Sequence, residues 1–226
     1  MVATQSNYLP WKGYFDNLVN SEKSLFIDCV SYTKNDWRNR NQIIINDSLT
    51  WLTIPISFKH GEKIFDINLP TTNWRQKHAK SISLAYAWSK HYSKFIDPLC
   101  TLILDESLSK LSLLNIELIK EIYEAIALKK LEYKIIQIMP KLTTKSARLA
   151  ELLKREGCTE FVTGEKVMNY VNPQDFDDRG IKIEINNYHY QAHETENNKK
   201  YFPKVSIIDT LAHLGEGAIK SFERKF

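Results

Sequence analysis

Near its start the chain carries the stretch Gln5-Ser6-Asn7-Tyr8-Leu9-Pro10-Trp11-Lys12-Gly13-Tyr14-Phe15, a polar and aromatic loop that leads into a helix. Aromatic and aliphatic residues recur at helical spacing after the proline, which predicts a helix of about three turns. The stretch holds more amides and aromatic rings than a packed core requires. A second block of this kind is Asp36-Trp37-Arg38-Asn39-Arg40-Asn41. Both blocks indicate a binding surface.

Strand and helix patterns alternate along the chain. Residues 24–28 form a short apolar run that predicts a buried strand, and the run ends at Asp28, where parallel sheets present ligands. Residues 42–46 and 51–56 predict a β-hairpin, and residues 63–69 an added edge segment. The order of elements predicts an α/β fold with a mostly parallel, Rossmann-like sheet flanked by helices and an inserted hairpin. We expect a single domain over 1–226 with a small β-rich insertion at about 37–70.

The later elements follow the same rules. Helices are expected from Asn73, the predicted N-cap, and over 107–129, and residues 133–139 predict a buried strand. Thr144 is the predicted cap of a helix that ends at Gly157. Two short strands and a final helix complete the expected pattern. They occupy 160–163 and 180–185, and the helix begins near Ser206.

Composition excludes several classes of protein. The formal net charge of +4 comes from charges of both signs, with no long basic run and no nucleic-acid-binding signature, so no nucleic-acid partner is expected. The three cysteines lie far apart without C-x-x-C spacing, which argues against disulfides and against a thiolate zinc site. No histidine and carboxylate spacing supports a metal site, so none is expected. Without a signal peptide or a long apolar run, we expect a cytoplasmic protein that does not insert into membranes.

The chain resembles the WbqC family over essentially its whole length. Members carry a Q-P-N-Y-L-P-W-x-G-Y-F opening, an N-R-N segment, a helix with tryptophan followed by histidine, and a late F-x-P-x-L-S-I-I-D segment. The matching residues are Gln5, Asn7, Tyr8, Leu9, Pro10, Trp11, Gly13, Tyr14, Phe15, Asp28, Arg38, Asn39, Arg40, Asn41, Trp51, Pro55, Trp74, His78, Tyr86, Gly164, Tyr170, Pro203, Ser206, Ile207, Ile208 and Asp209. The chain departs from the family at Ser6, at Cys29 and in the scrambled segment 187–191, which includes His189 and Gln191.

The resemblance implies a cytoplasmic step in the synthesis of O-antigen or a similar surface polysaccharide. The implied activity is the transfer of an acyl or aminoacyl group, such as glycyl, to the amino group of a nucleotide-linked amino sugar. An acyl thioester of coenzyme A or of an acyl carrier protein is favoured over ATP as the source of activation, because the chain has no P-loop. Two alternatives stay open: an ATP-dependent amide ligase, in which the opening loop holds triphosphate at a helix N-terminus, and a non-catalytic partner that presents the sugar nucleotide or the carrier protein.

The residues that match the family offer compatible chemistry. A sugar nucleotide has a diphosphate and a base, which guanidinium groups and aromatic faces can bind. Amide formation needs a base for the ammonium proton and donors for the oxyanion. His78 or Asp28 is the candidate base, and Asn7, Asn39 or Asn41 the candidate donor. The expected substrate-binding residues are Gln5, Tyr8, Trp37, Arg38, Asn39, Arg40, Asn41 and Trp74.

Each candidate also has a structural interpretation. His78 on an aromatic-flanked helical stripe is typical of a buried histidine, and Asp28 at a strand end of a structural acceptor. Gln5 and Asn7 beside a helix start can cap backbone groups. Alternation along a strand would put Arg38 and Arg40 on one face and Asn39 on the other. His189 and His193 with Glu194 give only a faint suggestion of metal binding.

Overall fold

A central parallel sheet and a separate antiparallel hairpin make up the β-structure. The computed structural model describes residues 1–188 and 202–222, and His189, Gln191, His193 and Glu194 therefore lie outside the described residues. The strands are β1 Val2–Thr4, β2 Ser24–Phe26, β3 Arg40–Ile45, β4 Ser48–Thr53, β5 Tyr133–Ile135, β6 Glu160–Thr163 and β7 Lys182–Ile185. The helices are α1 Lys12–Val19, α2 Trp74–Tyr86, α3 Asp97–Leu104, α4 Leu111–Ala127, α5 Lys145–Arg155, α6 Pro173–Asp177 and α7 Ile208–Leu214.

Five strands form the parallel sheet in the order β5-β2-β1-β6-β7. The chain passes from β1 through α1 to β2 on one side, and later crosses from β5 through α5 to β6 on the other side of β1. This reversal makes the gap between β1 and β6 a topological switch point, where α/β proteins place ligands at the carboxyl ends of the strands. The α/β fold class predicted from the sequence is confirmed.

The two faces of the sheet pack against different helices. Phe26 contributes to a large apolar cluster with α1 to α4 and α7, whereas its neighbours Leu25 and Ile27 contribute to a smaller cluster with α5 and α6. This division follows from the alternation of side chains along a strand. Because both faces are covered at the centre of the sheet, β2 and the residues after it form a continuous buried run, whereas the edge strands β5 and β7 alternate apolar and charged residues. Because the helices pack on the two faces, a ligand site can form at the carboxyl edge of the sheet.

The predicted hairpin is confirmed as β3 and β4, which pair in antiparallel register from Arg40 opposite Thr53 to Ile45 opposite Ser48. Its inward side chains, Ile43 and Leu52, join the large cluster and tie the hairpin to the rest of the fold. The predicted edge segment over 63–69 is wrong: Ile64–Asp66 is a turn of 3-10 helix. A π-helical turn over Tyr92–Ile96 leads into α3. Neither element is predicted from the sequence.

The ends of the helices show which local sequence signals predict a cap or a boundary correctly. Thr144 caps α5 as predicted, because its hydroxyl accepts a hydrogen bond from the Ala147 amide at 3.0 Å. Asn73 occupies the predicted N-cap position of α2, but its side chain makes no capping hydrogen bond to the helix. Helix α1 is shorter than expected and begins at Lys12. In the described part of the chain, no helix combines the length and the apolar character needed to cross a bilayer.

Gly13 explains why the opening stretch requires a glycine between its aromatic residues. The indole of Trp11 lies over the first turn of α1, and a Cβ at position 13 would come within 2.0 Å of its ring carbons. Gly13→Ala should therefore lower the free energy of unfolding by up to about 2 kcal/mol, because a steric cost of about 1–3 kcal/mol opposes the higher helix propensity of alanine, about 1 kcal/mol. Urea unfolding measures this change.

Gly164→Ala is the matched control for Gly13→Ala. A Cβ at position 164 meets no atom within 4 Å, and the backbone φ there is −80°. We expect Gly164→Ala to change stability by less than about 0.5 kcal/mol. A Gly13→Ala variant more stable than the unaltered protein would show that the indole moves aside, and would contradict the steric argument.

Candidate functional site

A cleft of about 800 Å³ opens at the carboxyl edge of the parallel sheet. Its floor comes from the sheet face that packs on α5, through Ala3, Ile27 and Phe161. The walls come from the loops that follow β1, β2, β5 and β6 and from the first turn of α5. The cleft therefore spans the switch point between β1 and β6. Its volume lies in the range of about 300–1,000 Å³ that is common for small-molecule sites.

The charged residues that line the cleft are cations. They are Arg38, Lys63, Lys145 and Arg148, and no aspartate or glutamate of the described residues lines the cleft with them. The guanidinium of Arg38 pairs with Asp36 at 2.7 Å. No carboxylate within residues 1–188 and 202–222 forms an ion pair with the other three. The cleft thus concentrates uncompensated positive charge, which favours an anionic ligand.

Two of these cations lie at the end of α5 that usually carries acidic residues. Lys145 is the first residue of the helix and Arg148 lies one turn later, and the first turn contains no acidic residue. Cations at a helix N-terminus oppose the helix dipole and cost about 0.3–1 kcal/mol each. An anion placed between the backbone N–H groups and these side chains would reverse that cost.

Asp28 lies at the predicted edge of the sheet, but its side chain turns away from the cleft. It is fully buried and accepts hydrogen bonds from the Ser6 amide at 2.8 Å and the Ser6 hydroxyl at 2.6 Å, and a third from the Ser112 hydroxyl on α4. The carboxylate therefore fastens the opening loop to α4. Its neighbours Ile27 and Cys29 line the cleft instead, as the alternation of side chains requires.

His78, Tyr8 and Trp74 meet in the core rather than in the cleft. His78 is 6% exposed, its Nδ1 lies 2.9 Å from the Tyr8 hydroxyl, and its ring packs edge-on against Trp74. Burial raises the pKa of Tyr8 well above its usual value, so the hydroxyl keeps its proton and donates to the imidazole. Burial also lowers the pKa of His78 to about 4, although a hydrogen bond to the Thr53 backbone partly opposes the shift.

This environment predicts a stability change in mild acid. In the unfolded chain His78 titrates near pH 6.5, and in the folded protein near pH 4, so the unfolded chain binds more protons between these values. The contribution of neutral His78 to the free energy of unfolding is fully present above pH 6.5. It is lost as the pH falls toward 4, by about 3 kcal/mol in total. Urea unfolding at pH 7 and pH 4.5 should show a smaller decrease for His78→Gln than for the unaltered protein. Equal decreases would contradict the assignment.

The two asparagines of the second block hold loops together. The Asn39 amide donates to the Ile54 carbonyl at 2.8 Å, and the Asn41 amide donates to the Leu9 carbonyl at 2.6 Å. Both residues are buried. Leu9 has a φ of 46°, a strained backbone conformation for a branched residue, which the bond from Asn41 helps to fix. Asn41 therefore holds the opening loop against the hairpin, and Asn39 joins the turn before β3 to the residue that follows β4.

The two arginines of the block point to different places. The expectation that both share one face of a strand is wrong, because β3 begins at Arg40 and Arg38 lies in the preceding turn. Arg38 lines the cleft, whereas the guanidinium of Arg40 lies 4.4 Å from the Trp51 ring centroid. Trp37 is 38% exposed and faces Trp51, with their ring centroids 6.1 Å apart.

Gln5 and Asn7 line the cleft where the chain leaves β1. The Gln5 carbonyl accepts a hydrogen bond from the Tyr14 hydroxyl at 3.0 Å, which fixes the start of the loop. The Oδ1 atom of Asn7 is shielded from solvent and has no hydrogen-bond partner among the described residues. Of the three candidate catalytic residues, Asn7 lines the cleft, whereas Asp28 and His78 are buried beside it.

Several cleft residues were not among the sequence candidates. Cys29, Lys63, Lys145, Arg148 and Tyr170 all line it. Burial raises the pKa of the Cys29 thiol, which therefore stays protonated at neutral pH. The signal that could have found the cations was the basic first turn after the Thr144 cap, which reverses the usual preference for acidic residues. Tyr170 matches the family pattern, but the pattern alone predicts no role for it.

The N-terminus of α1 is covered rather than open. Trp11 pairs with Ser206 in an isolated β-bridge, and the Ile207 amide donates to the Pro10 carbonyl at 2.9 Å. Lys12 is buried there, and burial lowers its pKa to about 8 while Asp209 opposes the shift. This covering removes the support that the opening loop gave to the ligase alternative.

Residues 1–188 and 202–222 contain no cluster of three or more histidine, cysteine, aspartate or glutamate side chains arranged to hold a metal ion.

Comparison with known proteins identifies the family. The WbqC-like protein family matches residues 5–221, which include every cleft-lining residue except Ala3 and Thr4. A similar protein is the uncharacterized protein Rv1507c of Mycobacterium tuberculosis, which is 31% identical over 225 residues, or 96% of this chain and 95% of the relative. No solved structure matches the chain significantly. The chain belongs to the WbqC-like protein family.

Proposed function

We propose that the cleft binds the diphosphate of a nucleotide-linked amino sugar, and that the protein transfers an acyl or aminoacyl group, such as glycyl, to the amino group of that sugar. The observation that carries the proposal is the cation-lined cleft at the switch point, which no carboxylate of the described residues lines. A diphosphate would supply the negative charge that no carboxylate of the described residues provides to Lys63, Lys145 and Arg148. The reaction would be a cytoplasmic step in O-antigen synthesis.

The lining of the cleft fits acyl transfer from a preactivated donor. We propose a thioester of coenzyme A or of an acyl carrier protein as the donor. The ammonium first loses one proton to solvent. The sugar amine then attacks the thioester carbonyl, the C–N bond forms and the C–S bond breaks, and the departing thiolate takes the further proton that the nitrogen loses. In a cleft that no histidine or carboxylate of the described residues lines, orientation and electrostatic stabilisation of the oxyanion would provide most of the rate enhancement. Asn7 and the cations that line the cleft would be the donors in that role.

A transfer assay tests the proposal. Purified protein is incubated with acetyl- or glycyl-thioesters and with UDP- or dTDP-linked amino sugars, and the mass of the sugar nucleotide is measured. We expect a mass gain of one acyl group on sugars with a free amine, and none on the matched N-acetylated sugars. Absence of a mass gain on every sugar, with donors of both carrier types, would contradict the proposal.

The same assay separates the alternatives. Product that forms only with ATP and free glycine would favour an amide ligase. Tight binding of the sugar nucleotide without product from any donor would favour a non-catalytic partner that presents it to another enzyme. Isothermal titration with inorganic pyrophosphate and UDP, carried out beside the assay, measures the binding step independently of the chemistry.

A further inference from the structure

Three side chains form an exposed platform on the outer face of the hairpin. Trp37 and Trp51 are 38% and 44% exposed, and their rings are tilted by 34°. The guanidinium of Arg40 lies against Trp51, as described above. We call these three residues the tryptophan platform. Exposed indoles forgo the stabilisation that their burial would provide, so a paired set of them indicates a binding surface.

Two backbone connections at Trp37 join the platform to the wall of the cleft, although the platform side chains do not themselves line it. Trp37 directly precedes Arg38, whose side chain lines the cleft. The Trp37 carbonyl also accepts a hydrogen bond from the Tyr8 amide at 2.9 Å, and Tyr8 follows the cleft-lining residue Asn7. The Trp37 amide in turn donates to the Asp36 carboxylate at 2.7 Å. The backbone of Trp37 is therefore joined to the cleft wall on two sides, by the peptide bond to Arg38 and by the hydrogen bond from Tyr8.

We propose that the tryptophan platform stacks the base of the nucleotide whose phosphates lie in the cleft. This inference rests on the proposed function, because the cleft must hold the phosphates for the base to reach the platform. Planar bases stack on aromatic side chains, and a guanidinium beside the ring adds a donor for carbonyl oxygens on the base. The platform would therefore set the orientation of the nucleotide, with the base at the hairpin and the diphosphate at the cations.

Size argues for a base rather than for a protein partner. A stable protein interface buries about 800 Å² on each side and involves about 20–30 residues. Two indoles and one guanidinium offer only a small part of that area, but they match a single planar ring. The connection of Trp37 to the cleft-lining residue Arg38 also favours a ligand that has a phosphate end and an aromatic end.

Titrations with UDP and with inorganic pyrophosphate test the inference. In Trp51→Ala and Trp37→Ala we expect UDP affinity to fall about tenfold, since a stacked base contributes about 1–3 kcal/mol. Pyrophosphate affinity should stay unchanged, because pyrophosphate has no base. Leu49→Ala is the matched control, because Leu49 lies on the same outer face of β4 and is also 44% exposed. It should leave the affinity for both ligands unchanged.

Each other result is decisive. UDP affinity that is unaltered in both tryptophan variants, while pyrophosphate still binds, would overturn the platform and leave the proposed function intact. Equal losses for UDP and pyrophosphate would show a general disturbance of the cleft and would also overturn the platform. A loss of UDP affinity confined to Tyr170→Ala would place the base on the opposite wall. If the unaltered protein bound neither ligand, the proposed function itself would fail.

Discussion

Asp28→Ala is expected to lower the free energy of unfolding by about 4 kcal/mol. The carboxylate is fully buried and accepts three hydrogen bonds, two from Ser6 and one from Ser112. Alanine would leave one amide and two hydroxyl groups buried without partners, and each such group costs about 1–3 kcal/mol. Urea unfolding measures the change. A loss below about 1 kcal/mol would show that the serines find other partners.

Two further variants show whether the loss of stability in Asp28→Ala comes from the buried hydrogen bonds of the carboxylate. Asp28→Asn keeps an acceptor for the Ser6 amide and should cost only about 1–2 kcal/mol. Asp178→Ala, at the exposed C-cap of α6, removes only an exposed bond from Gln174 and should cost less than about 0.5 kcal/mol.

Activity of Asp28→Asn in the transfer assay separates position from chemistry. A positioning role leaves most of the turnover in the folded variant, whereas loss of a general base lowers turnover by about 10²–10⁴-fold. The structure favours the first result, because Asp28 faces α4 rather than the cleft.

Periodicity was sufficient for the fold, because the fold depends on apolar burial. The run ending at Asp28, the hairpin and α5 with its Thr144 cap could all be predicted, since each combines an apolar pattern with a local start or stop signal. The turn of 3-10 helix at Ile64–Asp66 could not be distinguished from an edge strand by the same pattern. Helix α3 was missed because it is short and enters through a π-helical turn.

The site was harder to predict, because a residue type does not reveal the direction of its side chain. Asn39 and Asn41 have the chemistry of ligand donors, yet their amides bind the carbonyls of Ile54 and Leu9. His78 has the chemistry of a base, yet its neighbours bury it in the neutral form. Long-range contacts decided each of these cases. The cations of α5 come from a segment more than 100 residues after the opening loop, and only the crossover from β5 to β6 brings them to the same cleft.

Replacing Lys145 and Arg148 together with methionine should weaken binding and strengthen the fold. Each side chain can donate a charge-assisted hydrogen bond to a phosphate, worth about 1.5–3 kcal/mol, so affinity for pyrophosphate and UDP should fall about 100-fold or more. The free energy of unfolding should rise by about 1 kcal/mol, because two cations no longer oppose the dipole at the N-terminus of α5. Methionine keeps the helix propensity close to that of lysine and arginine.

The opposite signs of these two changes identify a ligand site, because a stretch retained for stability would change both in the same direction. Lys154→Met is the matched control at the other end of α5, where a cation favours the dipole. It should lower stability by about 0.3–1 kcal/mol and leave binding unchanged. Titration calorimetry and urea unfolding of the same preparations give both quantities. A double variant that lost stability and kept its affinity for pyrophosphate would show that these cations serve the fold, and that the phosphates bind elsewhere.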